Sequence, residues 1–233
     1  MKKVVVLTGA GMSVESGFST FRGNNGMWEN YKVEDVATHT AWVNHPDFVN
    51  AFYNKMRLQL LDAQPNRGHF LLAEMEQEFD LRIITQNIDN LHEKAGSTRV
   101  LHLHGELMKV TSSVDPDNPL YIRELDRSNY SVHSGELAAD GSLLRPYIVF
   151  FEEAVPNISL AAEWVSQTEV FIIIGTSLVV YPAAGLLSYT SPDTTVFVID
   201  PNPVDIDSSR KVHIIPKTAS EGLDTVLNIL RYS

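Results

Sequence analysis

Five short runs, Val4–Thr8, Leu81–Thr85, Val100–Leu103, Val170–Ile174 and Val196–Ile199, are dense in valine and isoleucine and do not alternate with polar residues. A strand with one face in water alternates, whereas a strand buried on both faces does not. The runs therefore predict a parallel sheet covered on each side by helices. Helical patterns lie between them. Asn44-His45-Pro46-Asp47 reads as a helix start, with proline in the first turn and an acid beside it, and Phe48, Phe52, Tyr53, Met56 and Leu60 follow at helical spacing. Pro65-Asn66 opens a second helix with Phe70, Leu71, Leu72, Met75 and Phe79 as its apolar residues. This alternation predicts a doubly wound, Rossmann-like α/β fold. Residues 24–78, helical where a short crossover is expected, and residues 111–143, polar and turn-rich, interrupt it. The two insertions are expected to pack together as a small lobe, leaving 1–23, 79–110 and 144–233 as the large domain. A cleft between such lobes is a natural ligand site.

Composition removes several chemistries. Without a cysteine the chain has no disulfide, thiolate zinc site, iron–sulfur cluster or cysteine nucleophile. A net charge of −11 argues against a nucleic-acid partner and weakly favours cationic ones such as lysine-rich peptides. No apolar stretch approaches the ~18 residues of a membrane helix, and the first apolar run stops at Thr8-Gly9, too soon for a signal peptide. The expectation is a cytoplasmic, monomeric protein with no membrane partner.

The first strand runs into Thr8-Gly9-Ala10-Gly11-Met12-Ser13-Val14-Glu15-Ser16-Gly17-Phe18, followed by Phe21-Arg22-Gly23. A strand, a Gly-x-Gly turn and a helix form a dinucleotide signature, because the turn lets backbone N–H groups approach a phosphate. The third glycine of the dehydrogenase fingerprint is replaced by Val14, and no second strand follows to carry a ribose-binding acid, so hydride transfer is disfavoured. The second run ends in Gln86-Asn87-Ile88-Asp89-Asn90-Leu91-His92, four of whose polar residues suit ribose hydroxyls or a carboxamide. His92 reads as a packing or capping residue. The third run carries His102 and His104, which share one face if both are in strand. No further ligand at metal spacing supports them, so no metal site is assigned. His104, at a strand end before Gly105, suits a general base.

Taken in order, these motifs, with Gly175-Thr176-Ser177-Leu178, Pro65-Asn66-x-x-His69, Arg145-Pro146-x-x-Val149-x-Phe151-x-Glu153 and Val180-Tyr181-Pro182-Ala183-Ala184, resemble the sirtuin family of NAD-dependent protein deacylases over residues 5–225. The resemblance implies that an acyl-lysine oxygen displaces nicotinamide from NAD, and that free lysine and O-acyl-ADP-ribose leave. By the same resemblance His104 is the base, and Asn87 and Asp89 hold the ribose and the carboxamide. Gly9, Ala10, Gly11, Ser13, Gly17, Phe18, Phe21, Arg22, Trp28, Gln86, Ile88, Gly175, Thr176, Ser177, Asp200 and Ala219 contact the cofactor. Val149 and Phe151 flank the acyl-lysine.

Three departures stand out. The family's zinc-binding cysteine pairs are missing, and residues 111–143 occupy their place, so no zinc is expected and this segment should dock on the large domain. Family members that prefer acidic acyl groups carry Tyr-x-x-Arg. Here Tyr53 is followed by Met56, with Arg57 rotated about 100° around the helix, and the resemblance assigns all three to the acyl-lysine site. Tyr53 and Met56 as plain apolar lining is an equal reading. An uncharged acyl group, acetyl or longer, is favoured. Glu152 stands where the family has glycine. ADP-ribosyl transfer to a protein and a catalytically idle NAD sensor are the competing functions.

Overall fold

A computed structural model describes residues 1–18, 31–202 and 211–232. The elements in chain order are β1 (Lys3–Thr8), a 3-10 turn (Ala10–Ser16), α1 (Val33–Val36), α2 (His39–Asn44), α3 (Pro46–Asp62), α4 (Arg67–Met75), β2 (Asp80–Thr85), α5 (Leu91–Lys94), β3 (Val100–His102), β4 (Gly105–Ser112), β5 (Arg123–Glu124), β6 (Leu144–Ile148), α6 (Ile158–Ser166), β7 (Val170–Ile174), a second 3-10 segment (Ala183–Tyr189), β8 (Thr195–Ile199), β9 (Val212–Ile215) and α7 (Ala219–Tyr232).

Six strands form one parallel sheet in the order β3-β2-β1-β7-β8-β9. All five apolar runs lie in it. Their lack of alternation has the expected cause: Val4, Val6, Leu81, Ile83, Ile172 and Ile174 face one core with α4 and α7, while Val5, Leu7, Ile84, Phe171 and Ile173 face another with α6. The chain winds outward from β1 to β3 and then returns to β1's other side as β7. The order thus reverses between β1 and β7, and the carboxyl ends of this pair are where an open α/β sheet binds its ligand.

The helical insertion folds as expected. Pro46 sits in the first turn of α3, and the Asn66 side chain caps α4 by accepting from His69 N. Phe52, Tyr53, Met56 and Leu60 are buried in a core shared with Trp42, Ile148 and Phe150. Phe48 and Phe70, read as part of the apolar faces, are instead about half exposed, and Phe48 is covered on one side by the Tyr31 ring at 5.9 Å.

Residues 105–148 form a second sheet, β5-β4-β6, antiparallel, with a small core of Val110, Leu125, Val132 and Leu144. The cysteine-free segment pairs its β5 with Lys109 and Val110 of β4, within the range read as large domain, and is held from the other side by α3 of the helical insertion. Asn54 clasps Val132, donating Nδ2–H to its carbonyl at 2.8 Å and accepting its N–H at 2.9 Å. Ser134 donates to Asp47, Arg127 to the carbonyl of Leu61 and to Asp62, and Asn50 to the carbonyl of Leu144. The polar side of α3 supplies what a segment with so small an apolar core lacks. No helix among the described residues is long and apolar enough to cross a membrane.

Candidate active site

The glycine turn after β1 and the loop after β7 interlock backbone to backbone. Gly9 N donates to Ile174 O and Gly11 N to Gly175 O, each at 2.9 Å. A Cβ on Gly11 would lie 2.5 Å from Gly175 Cα, and one on Gly175, whose φ is +60°, would lie 2.6 Å from Gly11. Only glycine fits at this crossing, which sets the free end of the turn at the switch point of the sheet. A cleft of about 810 Å³ opens there. The Gly9 and Gly11 amides are spent on the crossing, and the turn they fix lines the cleft where the pyrophosphate of a dinucleotide would fit.

Most of the residues assigned from sequence line this one cleft: Gly9, Ala10, Gly11, Ser13 and Phe18 from the turn; Gln86, Asn87, Ile88 and Asp89 beyond β2; His104; Gly175, Thr176 and Ser177 beyond β7; and Asp200 and Ala219. Gly17 closes the turn rather than lining the cleft, donating its N–H to Val14 O with φ +71°. Phe21, Arg22 and Trp28 lie outside the described residues.

Beyond β2 the polar cluster is tightly organised. Ser13 Oγ donates to Asp89 Oδ2 at 2.8 Å, and Asn87 Nδ2 donates to Gly9 O and Ser13 Oγ at 3.1 and 3.2 Å. Leu91 N–H donates to the other Asp89 oxygen. Burial pushes the Asp89 carboxyl upward, against the pull of those two donors. Gln86 Nε2 reaches Thr176 Oγ1 at 3.2 Å, joining the ends of β2 and β7.

His104 follows the end of β3. Its Nδ1 lies 2.9 Å from Gln86 O. A carbonyl can only accept, so Nδ1 carries the hydrogen and Nε2 of the neutral ring keeps its lone pair. Burial pulls the pKa of His104 below 6.5, against the opposing Gln86 bond, so the ring is neutral and basic at physiological pH. The following Gly105, with φ +80°, has Tyr147 O 2.2 Å from where a Cβ would be. That close approach lets Gly105 pair with Ile148, while Val149 N donates to His104 O. The histidine is thereby pinned beside the loop that carries Val149 and Phe151. His102 does not share that role. Its Nδ1 meets Asn87 O and its Nε2 meets Glu93 Oε1 at 2.8 Å. Burial alone would lower its pKa, but the Glu93 carboxylate outweighs burial and raises it.

The 149–153 loop is held from below. Arg145, almost wholly buried, grips Glu153 with two N–H donors at 2.7 and 3.0 Å and lies over the Phe150 ring. Burial would raise Glu153, but Arg145, His39 and Phe150 N keep its carboxyl low. Glu152 takes φ +78°, the left-handed conformation in which glycine costs least, and its carboxylate accepts from Thr40 N and Thr40 Oγ1 at 2.9 and 2.7 Å. Two hydrogen bonds at the first turn of α2 thus offset a strained backbone where the sequence departs from glycine.

Val149, Phe151, Tyr53 and Met56 all line the cleft. Arg57 does not. It is fully buried, and its Nε–H donates to Leu107 O and its Nη1–H to Asn54 Oδ1, each at 2.8 Å. Burial lowers its pKa to about 10. Arg57 therefore orients the Asn54 clasp on Val132. Sequence reasoning missed Glu15, whose carboxylate accepts Ser220 N at 3.0 Å and ties the glycine turn to the start of α7. No pattern signalled a partner 205 positions away. Among the described residues, no three His, Asp or Glu side chains gather to hold a metal ion.

Fold and site together define a doubly wound dinucleotide-type protein with a neutral histidine in its cleft. The Sir2 family model matches residues 9–182. An NAD-dependent protein deacylase of Bacteroides thetaiotaomicron is 55% identical over 230 residues, covering 99% of this chain and 98% of the relative. The crystal structure of a Sir2 homologue–NAD complex superposes with a TM-score of 0.86 at 34% identity, covering 98% of this chain and 89% of that one. A Sir2 structure with a deacetylated p53 peptide and 3′-O-acetyl ADP-ribose superposes at 0.82 with 30% identity, covering 97% and 92%. The chain belongs to the Sir2 family.

Proposed function

We propose that this chain is an NAD-dependent protein-lysine deacylase that prefers an uncharged acyl group, acetyl or longer. The observation that carries the reading is the pairing of His104 Nδ1–H with Gln86 O in the same cleft as the Gly9–Gly11–Gly175 cradle. NAD, when bound, supplies a ribose carbon with nicotinamide as leaving group and a ribose hydroxyl to receive the acyl group. The glycine turn, fixed by its bonds to the loop after β7, lines the place that its pyrophosphate would take. Asn87 and Asp89, locked by Ser13, orient the ribose and the carboxamide. His104 Nε2 takes a proton from the ribose hydroxyl, and Gln86 O stabilises the imidazolium that results. Phe18, Val149, Phe150 and Phe151 exclude water from the reacting carbon. The deacylase name of the 55% identical relative and the O-acetyl product in the 30% identical structure support this reading.

The acyl end of the cleft is walled by Tyr53, Met56, Ile148 and Phe150. Burial drives the pKa of the Tyr53 hydroxyl well above its usual value, so it stays neutral. With Arg57 turned away toward Leu107, no free cation among these wall residues meets an acidic acyl group, which supports the uncharged preference. The 111–143 segment folds without zinc on this reading. The Asn54–Val132 clasp and a knot in which Asp140 accepts from Ser112 and Ser142 hold it instead. The experiment is nicotinamide release from NAD with acetyl-, longer acyl- and succinyl-lysine peptides, with metal analysis of the purified protein alongside. Release that favours succinyl-lysine, or stoichiometric zinc, would overturn the respective part. A peptide that gains ADP-ribose rather than losing its acyl group would favour transfer instead.

A further inference from the structure

Behind the catalytic strand end lie two histidines that the reaction does not touch. His69 on α4 and His92 on α5 are both fully buried, with ring centroids 4.8 Å apart. Each has one ring nitrogen with a partner and one without: His69 Nε2 and His92 Nδ1 are buried and unpaired among the described residues. The partners fix the tautomers. Asn66 N–H donates to His69 Nδ1 at 3.3 Å, so the hydrogen of neutral His69 is on Nε2. Thr8 Oγ1 donates to Thr85 Oγ1 at 2.9 Å, so its oxygen accepts from His92 Nε2–H at 3.1 Å, and His92 Nδ1 keeps a lone pair. The two unpaired atoms are therefore one donor and one acceptor, on rings close enough for a small rotation or one bridging water to join them. Leaving both unpaired is costly, because each has given up its hydrogen bond to water on burial.

Each end of this pair reaches the site. Asn66, which bonds His69, also donates its Nδ2–H to Met12 O and Ser16 Oγ of the glycine turn, at 2.8 and 3.0 Å. Thr85, bonded through Thr8 to His92, accepts Asn87 N–H at 3.0 Å. We propose that His69 and His92 form a neutral imidazole dyad, His69 Nε2–H directed at His92 Nδ1, that positions Asn87 relative to the glycine turn. The dyad runs from the turn to the backbone of Asn87 without entering the cleft, so both are positioning residues. This rests on the role given above to Asn87. Burial supports neutrality: it lowers the pKa of His69 to about 4, with Glu93 pulling the other way. For His92, burial, then His69 and His102, hold it well below 6.5.

The test is side-chain ¹⁵N NMR of histidine-labelled protein, together with kinetics of two variants. Wild-type protein should show both rings as neutral Nε2–H tautomers from pH 8 to 5, with His92 Nδ1 shifted as a hydrogen-bond acceptor. His92→Asn keeps a polar atom near Nδ1 but cannot reach Thr8. It should lower kcat at least tenfold with peptide KM unchanged, and so should His92→Gln, which restores a donor to Thr8 but gives His69 no acceptor at the Nδ1 position. An Nδ1–H tautomer at either ring, titration of either near pH 6.5, or wild-type kcat in His92→Asn would overturn the dyad. The NMR arm stands apart from turnover. If wild-type protein released no nicotinamide, the proposed function would fail while the tautomers still decided the dyad.

Discussion

Replacing Gly175 by alanine probes the crossing on which the cleft is built. At φ +60° an alanine costs about 1–2 kcal/mol in backbone conformation. Its Cβ would lie 2.6 Å from Gly11 backbone atoms, where 3.4 Å is ordinary contact, so the turn must retreat by 3.4 − 2.6 = 0.8 Å. Backbone cannot rotate aside as a side chain can, and overpacking of this kind costs about 1–3 kcal/mol. The sum, about 2–5 kcal/mol, is survivable for a fold of about 5–15 kcal/mol. The retreat displaces the turn that lines the cofactor cleft, and a shift near 1 Å can cost on the order of a hundredfold in rate. Gly141 is the control. Its φ is +82°, but a Cβ there meets nothing within 4 Å. Gly141→Ala should cost only the conformational part and leave NAD kinetics alone. Thermal melts and steady-state KM for NAD separate the two. Equal melting losses, with wild-type NAD kinetics in Gly175→Ala, would refute the interlock.

Three further outcomes follow from the same geometry. His69, His92 and His104 all have folded pKa values below 6.5, so the unfolded chain binds more protons and stability falls as pH drops below 6.5. For His69 alone, 6.5 − 4 gives a loss on the order of 3 kcal/mol by pH 4, measurable as a denaturation midpoint against pH, while kcat/KM should show an acid limb below 6.5 from His104. Asn54→Ala removes both bonds to Val132 and one from Arg57, so it should destabilise by about 1–3 kcal/mol and raise hydrogen exchange across 123–136 more than in the parallel sheet. Met56→Arg places a cation beside Tyr53 in the cleft and should raise the succinyl-to-acetyl ratio of kcat/KM by about tenfold. An unchanged ratio would show that the acyl chain does not reach Met56.

What the sequence made legible follows from where its patterns come from. β1, β2, β7 and β8 are sandwiched between helices, so burial on both faces wrote itself into the residues. β9, Val212–Ile215, escaped because it is an edge strand with His213 and Ile214 exposed. β6 escaped because Pro146 and a buried Arg145 disguise it, a proline being tolerated at the edge of β5-β4-β6. The lining of the cleft was readable because most of its residues cluster at strand ends. Arg57 misled because local spacing cannot show that one of its acceptors, Leu107 O, lies 50 residues on and draws it away from the cleft. Glu15 and the His69–His92 contact were hidden for the same reason.

The account stands or falls on His104 and the glycine turn meeting one ribose. The direct measurement is a crystal structure of the protein with NAD and an acetyl-lysine peptide. It should show the pyrophosphate on the Gly9–Gly11 turn and His104 Nε2 within about 2.6–3.2 Å of a hydroxyl on the nicotinamide ribose, with Nδ1 still on Gln86 O. An imidazole turned away from that sugar, or a pyrophosphate bound elsewhere, would contradict it.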